Sequence, residues 1–349
     1  MTEQLSGPDP KFASRITLNL KKLVSDGQLS QAEAQRLNDL GESVLTRKIF
    51  ANALLIFGAI MVVTGILALG PSLNTGLALA GTALALGTAL IWRGTDEWWL
   101  LGRALVLMGV LGLCGWTALR FDELGPEMTQ LTWPTILALT LAGAIFYRDA
   151  VLAALAPIAL GHSIGGGTAY WHASYGLFMR ESSVTILVFG LLCAALLWAL
   201  YRVPQNYELV TKVMARVSFF LANFGFWIGS LHGDYPGQLW LADGLNWTDT
   251  QSWQATSFFI PAEVFSVAWA VFLLFGIYMG IRTGRSFIAN TAIVFLAIHF
   301  YTQLYETFLD TPSGLVFGGV VLIGFGLGLV RFNRWMTDYR KSLQSEDSA

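Results

Sequence analysis

The sequence predicts an all-α fold: a polytopic bundle of about ten transmembrane helices behind an N-terminal cytosolic helical hairpin. Three observations carry this expectation. Of 349 residues, 54% are hydrophobic and 13% charged, and mean hydropathy is +0.56, a mix too apolar for a water-soluble chain of this length. Apolar runs recur at about 20 residues, the length that crosses ~30 Å of hydrocarbon, where backbone N–H and C=O groups find partners only inside a helix. The basic residues also alternate in side. Numbering the connections in turn, one side collects Lys11, Arg15, Lys21, Lys22, Arg36, Arg47, Lys48, Arg93, Arg148, Arg202, Lys212, Arg282, Arg285, Arg331, Arg334, Arg340 and Lys341, seventeen of the 21. The other side has Arg120 and Arg180, and Arg103 and Arg216 lie just inside runs. By the positive-inside rule both termini are cytoplasmic, and the even span count is self-consistent.

Residues 1–48 are polar and form a cytosolic region. Within it Leu18, Leu20 and Leu23 precede an Asp26-Gly27 turn, and Ser30 with Glu33 forms a capping box ahead of Ala34, Leu37 and Leu40. Two short amphipathic helices are expected, serving either as an interface-lying tail or as a docking module for a protein partner. No cleaved secretory signal is expected, because the first apolar run is long enough to span.

The stretch "LVSDGQLSQAEAQRL", of the type L-x-x-x-G-x-L-S-x-x-E-A and followed directly by a polytopic apolar region, resembles the bacterial predicted-membrane-protein family catalogued as a domain of unknown function (DUF 2157). The detailed likeness covers roughly residues 15–45. It implies a multi-span protein of the bacterial inner membrane and brings no catalytic residues.

The transmembrane region, 49–331, divides into runs at 49–69, 74–92, 98–119, 132–147, 150–171, 183–202, 213–231, 258–281, 286–306 and 311–331, with a cytosolic tail at 332–349. The fourth and fifth are joined only by Arg148-Asp149. Cys114 and Cys193 fall in different runs, which argues against a disulfide framework or a structural zinc site. Glycine totals 36. Gly102, Gly109, Gly112 and Gly115 in the third run, and Gly314/Gly318 and Gly324/Gly328 in the last, are small residues of the kind that let spanning helices approach closely.

Ionisable groups inside spans are costly and are functional hypotheses by default. His299, Gln303 and Glu306 sit at i, i+4 and i+7 on one face of the ninth run, in its outer half. Glu263 enters early in the eighth run from the same outer side, where it also complements a helix N-terminus behind Pro261. His162 closes the fifth run, and His172 and His232 occupy outer connections. All four histidines therefore gather toward the periplasmic half. The triple glycine 165–167, with Pro157 before it, marks either a helix break lining a site or an exit turn.

The connection "LHGDYPGQLWLADGLNWTDTQSW", Leu231–Trp253, has no basic residue, and Trp240, Trp247 and Trp253 suit an interfacial belt. Outer tryptophan-rich loops flanked by histidines resemble the haem-handling proteins of cytochrome c maturation, but their W-G-x-x-W-x-W-D type of motif is missing. Phe295 and His299 reproduce the F-x-x-x-H element of intramembrane CAAX-type proteases without the paired glutamates those enzymes need. There is no G-x-S-x-G, H-E-x-x-H or P-loop, and the basic residues follow the membrane rule without forming a nucleic-acid patch.

The expected function is recognition or translocation of a small molecule or lipid through a periplasm-facing polar pocket drawn from His299, Gln303, Glu306, Glu263, His162 and His232, without covalent chemistry. The alternatives are a scaffold or sensor docking a partner through the hairpin, and a membrane enzyme or metal or haem handler. Cofactor identity and oligomeric state, monomer or homo-oligomer, stay open.

Overall fold

The computed structural model describes residues 72–93, 98–171, 174–241 and 247–308 continuously, with scattered positions between 30 and 70 and between 313 and 334. Side-chain surroundings are described at these positions except 168–171, 174–178, 247–248 and 305–308. The chain forms two compact units, Met1–Gly112 and Leu113–Ala349. Among the described residues, seven helices are long and apolar enough to cross a bilayer.

In the first unit, α1 (Leu73–Arg93) and the start of α2 (Trp99–Leu124) pair. Ser72 caps α1, its hydroxyl accepting from Thr75 N at 3.1 Å. The pairing rests on glycine: a Cβ on Gly109 would come within 2.7 Å of the Leu84 backbone nitrogen, and one on Gly112 within 2.8 Å of Ala80 Cβ. Gly102 meets Leu90 and Ile91 in the same way, whereas Gly115 faces open space. Three of the four glycines in that run are thus contact points. Further toward the N-terminus, Ser30 N donates to a Glu33 carboxyl oxygen at 3.0 Å and Glu33 N donates to Ser30 Oγ at 3.2 Å, a closed capping box. The Ser30 hydroxyl, donating to the same carboxylate at 2.6 Å, and then the Ser30 N–H hold the Glu33 carboxyl below the usual carboxylate range. Most of the rest of the expected hairpin, most of the run 49–69 and eight of the 21 positions in 311–331 lie outside the described residues.

The second unit begins with the remainder of α2, the short α3 (Pro126–Thr129) and α4 (Thr132–Tyr147). Arg148 takes a left-handed conformation (φ 52°), and Asp149 caps α5 (Ala150–Ser163) by accepting from Val151 N at 2.9 Å and Leu152 N at 3.1 Å. Here the structure corrects the sequence reading. The run 150–171 is not one spanning helix: α5 has 14 residues, ~21 Å at 1.5 Å per residue, and residues 166–171 are a strand. Glycine is the cause. Gly165 adopts φ +84°, which ends the helix, and a Cβ on Gly166 would lie 2.8 Å from the Gly161 carbonyl oxygen. Strands β1 (Gly166–Trp171) and β2 (Ser174–Met179) pair antiparallel, Gly166 with Met179 and Trp171 with Ser174. The chain therefore leaves and returns at one place, and α6 (Ser182–Ala199) starts where α5 ends. The all-α expectation gains a β-hairpin.

Helix α7 (Glu208–His232) is the axis of this unit. Its buried residues Thr211, Ala215, Ser218, Ala222, Phe226 and Gly229 recur every three or four positions, one stripe of an α-helix. It packs against α5, α6, α9 (Ala262–Arg282) and α10 (Ser286–Phe308), with α8 (Trp247–Thr256) in the loop before α9. Phe219, Phe226, Phe265, Trp269, Leu273 and Phe295 form the core among them. A Cβ on Gly280 would touch Ala289 at the α9–α10 crossing. Outward, Val267, Val271, Leu274 and Tyr278 keep more than half their surface exposed at i, i+4, i+7 and i+11. A band of this kind belongs in lipid, and the chain is a membrane-embedded helical protein.

The glycine contacts yield a test. Gly109→Ala is expected to lower the thermal stability of the detergent-solubilised protein by about 1–3 kcal/mol, because the α1 backbone cannot yield. Gly81→Ala, whose Cβ meets nothing within 4 Å, is expected to leave stability unchanged or raise it slightly.

Candidate functional site

At the end of the second unit where α6 begins, the helix exposes its first N–H groups. Asp234, 51 residues further along the chain, supplies the partner: a carboxyl oxygen accepts from Ser183 N at 2.8 Å. Its backbone pairs both ways with Ile260, each bond 2.9 Å, which ties the entry of α9 to the exit of α7. Glu181 accepts from Leu239 N at 3.1 Å, and Arg180 Nη2 donates to the Leu241 carbonyl at 3.0 Å. Glu181 and Asp234 are both buried, so these bonds replace solvation that the two carboxyl groups have lost. The loop turns at Gly233, with φ +69° and a Cβ position only 2.6 Å from the Ile260 carbonyl oxygen, a place only glycine fits.

This strapping leaves a cavity of about 770 Å³. One wall is a single face of α7, Phe224, Trp227, Ile228 and Leu231, at i, i+3, i+4 and i+7. Around it stand Met179, Arg180, His232, Asp234, Tyr235, Gln238 and Gln254. The lining thus joins an apolar helix face to a polar surround with one guanidinium, the composition of a ligand pocket.

Beneath it a polar seam enters the bundle. Trp227, on the cavity wall, donates from Nε1 to Thr302 Oγ1 at 3.2 Å, and that hydroxyl donates to the Ile298 carbonyl at 2.9 Å. On the same face of α10, His299 meets the Trp269 ring edge-on with centroids 4.8 Å apart. Trp269 Nε1 donates to Asn223 Oδ1 at 3.0 Å, and Asn223 Nδ2 donates to the Phe219 carbonyl at 2.8 Å. Two buried groups in this seam, His299 Nδ1 and Gln303 Nε2, have no hydrogen-bond partner among the described residues. Orphan polar atoms are rare in cores and costlier in a bundle that hydrocarbon surrounds.

The residues singled out from sequence are distributed as follows. His299 and Gln303 lie together in the seam, and His232 is exposed on the cavity lining. Glu263 is exposed in the first turn of α9, behind Pro261 at the N-cap. His162 is elsewhere, stacked on Trp133 of α4 at 4.0 Å with Nδ1 against the Ile158 carbonyl. The Glu306 side chain and His172 fall outside the described residues. Asn223, Trp227, Trp269, Thr302, Arg180 and Asp234 were not anticipated. Asn223 carried the best signal, an amide in an apolar run four residues before a tryptophan. Trp240 is 84% exposed, as an interfacial tryptophan would be. Among the described residues, no three His, Cys, Asp or Glu side chains gather closely enough to hold a metal ion.

Compared with protein-family models, curated proteins and solved structures, the chain matches none.

Asn223→Leu is expected to cost about 1–3 kcal/mol, because it strands the buried Trp269 N–H. Glu263→Gln, at an exposed position, is expected to stay within about 0.5 kcal/mol of the parent. Thermal unfolding of the purified variants in detergent checks both.

Proposed function

We propose that this protein recognises, and passes toward its interior, a small amphipathic molecule or lipid that enters the cavity between α7, the start of α6 and the 233–241 loop. One observation carries the reading: Trp227 is at once a cavity wall and the hydrogen-bond partner of Thr302. Trp227 thereby links the cavity wall to α10, the helix that carries His299 and Gln303, whose buried nitrogens have no hydrogen-bond partner among the described residues. The apolar face of α7 suits a hydrocarbon portion, while Arg180, Gln238 and Gln254 suit a polar or anionic head. Ser182 and His232 both line the cavity, but no hydrogen bond joins them among the described residues, and binding without covalent chemistry is the reading we favour.

The charge asymmetry supports the orientation expected from sequence. The end of the second unit opposite the cavity carries Arg148, Arg202, Lys212, Arg216, Arg282 and Arg285, while the cavity's own end has Arg120 and Arg180 among the described residues. The positive-inside rule then turns the cavity away from the cytoplasm, toward the periplasm if the membrane is the bacterial inner membrane that the N-terminal resemblance implies.

Mass spectrometry of the small molecules and lipids released from the purified protein tests this. A species retained by the parent is expected to be depleted in Ile228→Trp, which fills the cavity, and in His299→Ala, with membrane abundance unchanged in both. Retention at parental levels in both variants would remove the proposal.

A further inference from the structure

The opposite, basic end of the second unit holds another cavity, about 250 Å³ between α6, α7 and the turn into α10. Cys193 and Leu197 of α6 and Phe219 of α7 give it an apolar floor, and three cations converge on it: Lys212 and Arg216 from α7, and Arg285 from the turn. Lys212 and Arg216 are four residues apart, so like charges sit on one helix face, an arrangement that destabilises an isolated helix. Their neutralisation is incomplete. Glu208 pairs with Lys212, and Asp149, the other acid described at this end, caps α5. Arg216 lies over the Phe287 ring at 5.0 Å. Arg285 lies over Tyr201 at 5.4 Å and reaches the Leu197 carbonyl at 3.4 Å. Among the described residues, neither guanidinium has a carboxylate partner.

Lys212 and Arg216 are both exposed, so lipid headgroups can reach them, and Cys193, Leu197 and Phe219 beneath offer no charge of their own.

We propose that this cavity binds the phosphate of an anionic membrane lipid, with Arg216, Arg285 and Lys212 around the phosphate oxygens. Guanidinium forks match phosphate oxygens in pairs, and basic pockets between spanning helices are suited to anionic headgroups. A free phosphate presents the same oxygens. The lipid is favoured because the remaining walls, Leu197, Leu200, Phe219 and Ile288, are apolar and suit the start of an acyl chain. The site is distinct from the cavity at the other end and does not depend on its function.

The experiment uses the full chain in nanodiscs of phosphatidylcholine containing phosphatidylglycerol. With a headgroup-photoreactive phosphatidylglycerol and the unmutated protein, crosslinks are expected at 212–219 and 284–288; crosslinks confined to other segments overturn the proposal. Native mass spectrometry then measures retention of phosphatidylglycerol over phosphatidylcholine. The double variant Arg216→Gln, Arg285→Gln is expected to reduce that preference about fivefold for each arginine. The double variant Arg202→Gln, Arg282→Gln removes the same charge from the same end but outside the cavity, and is expected to retain the preference. Equal losses in the two would place it in diffuse surface charge and sink the idea. Inorganic phosphate that binds the lipid-free protein in detergent with the same arginine dependence, and displaces phosphatidylglycerol, would replace the lipid assignment with a free-phosphate one.

Discussion

Hydrocarbon offers no hydrogen-bond partner, and nearly every polar contact inside the second unit answers to that constraint. Hydroxyls on its helices fold back onto their own carbonyls: Thr140 onto Ile136, Thr185 onto Glu181, Ser218 onto Met214 and Thr302 onto Ile298. Such bonds let a span carry hydroxyls without needing a neighbour. Asn223 also donates from Nδ2 to its own Phe219 carbonyl, and its Oδ1 accepts from Trp269 Nε1 across the α7–α9 interface. Against this thrift, His299 Nδ1 and Gln303 Nε2, like Trp116 Nε1 and Thr132 Oγ1, are buried without a hydrogen-bond partner among the described residues, and His299 sits edge-on to the Trp269 ring.

The same constraint explains why α7 is central. A spanning helix with one buried stripe can carry Asn223, Ser218 and Ser230 only if other helices cover that stripe. α5, α6, α9 and α10 do so, and their own outward faces are apolar. At either end of α7, where water and headgroups return, the helices part into cavities of opposite character. One is strapped by Asp234 and Glu181, and the other is rimmed by Lys212, Arg216 and Arg285. The first is closed by carboxyl groups accepting backbone N–H donors, and the second is lined by three cations, of which Lys212 pairs with Glu208.

Much of this was legible from residue order. Runs at 74–92, 98–119, 183–202, 213–231, 258–281 and 286–306 correspond to helices because each must satisfy its backbone internally, whatever its neighbours. Gly102, Gly109 and Gly112 were legible as contacts for a related reason: small residues in lipid have few other uses. The run 150–171 misled, because hydropathy cannot separate an apolar helix from an apolar strand. Gly165 and Gly166 decide between them through backbone angle and a close approach to Gly161.

Composition and charge order determined that the chain lives in a membrane, where its helices run, and which ends carry the cations. These follow from solvent and from local backbone needs, which act on each segment separately. Tertiary structure alone decided that Asp234 would cap a helix 51 residues away, that Trp227 would join a cavity to His299's helix, and that Glu263 and His162 would sit apart from that seam. Those outcomes depend on which helix faces meet, and hydropathy does not encode a partner: to lipid, one apolar face is like another until side-chain shape and a few buried hydrogen bonds choose between them.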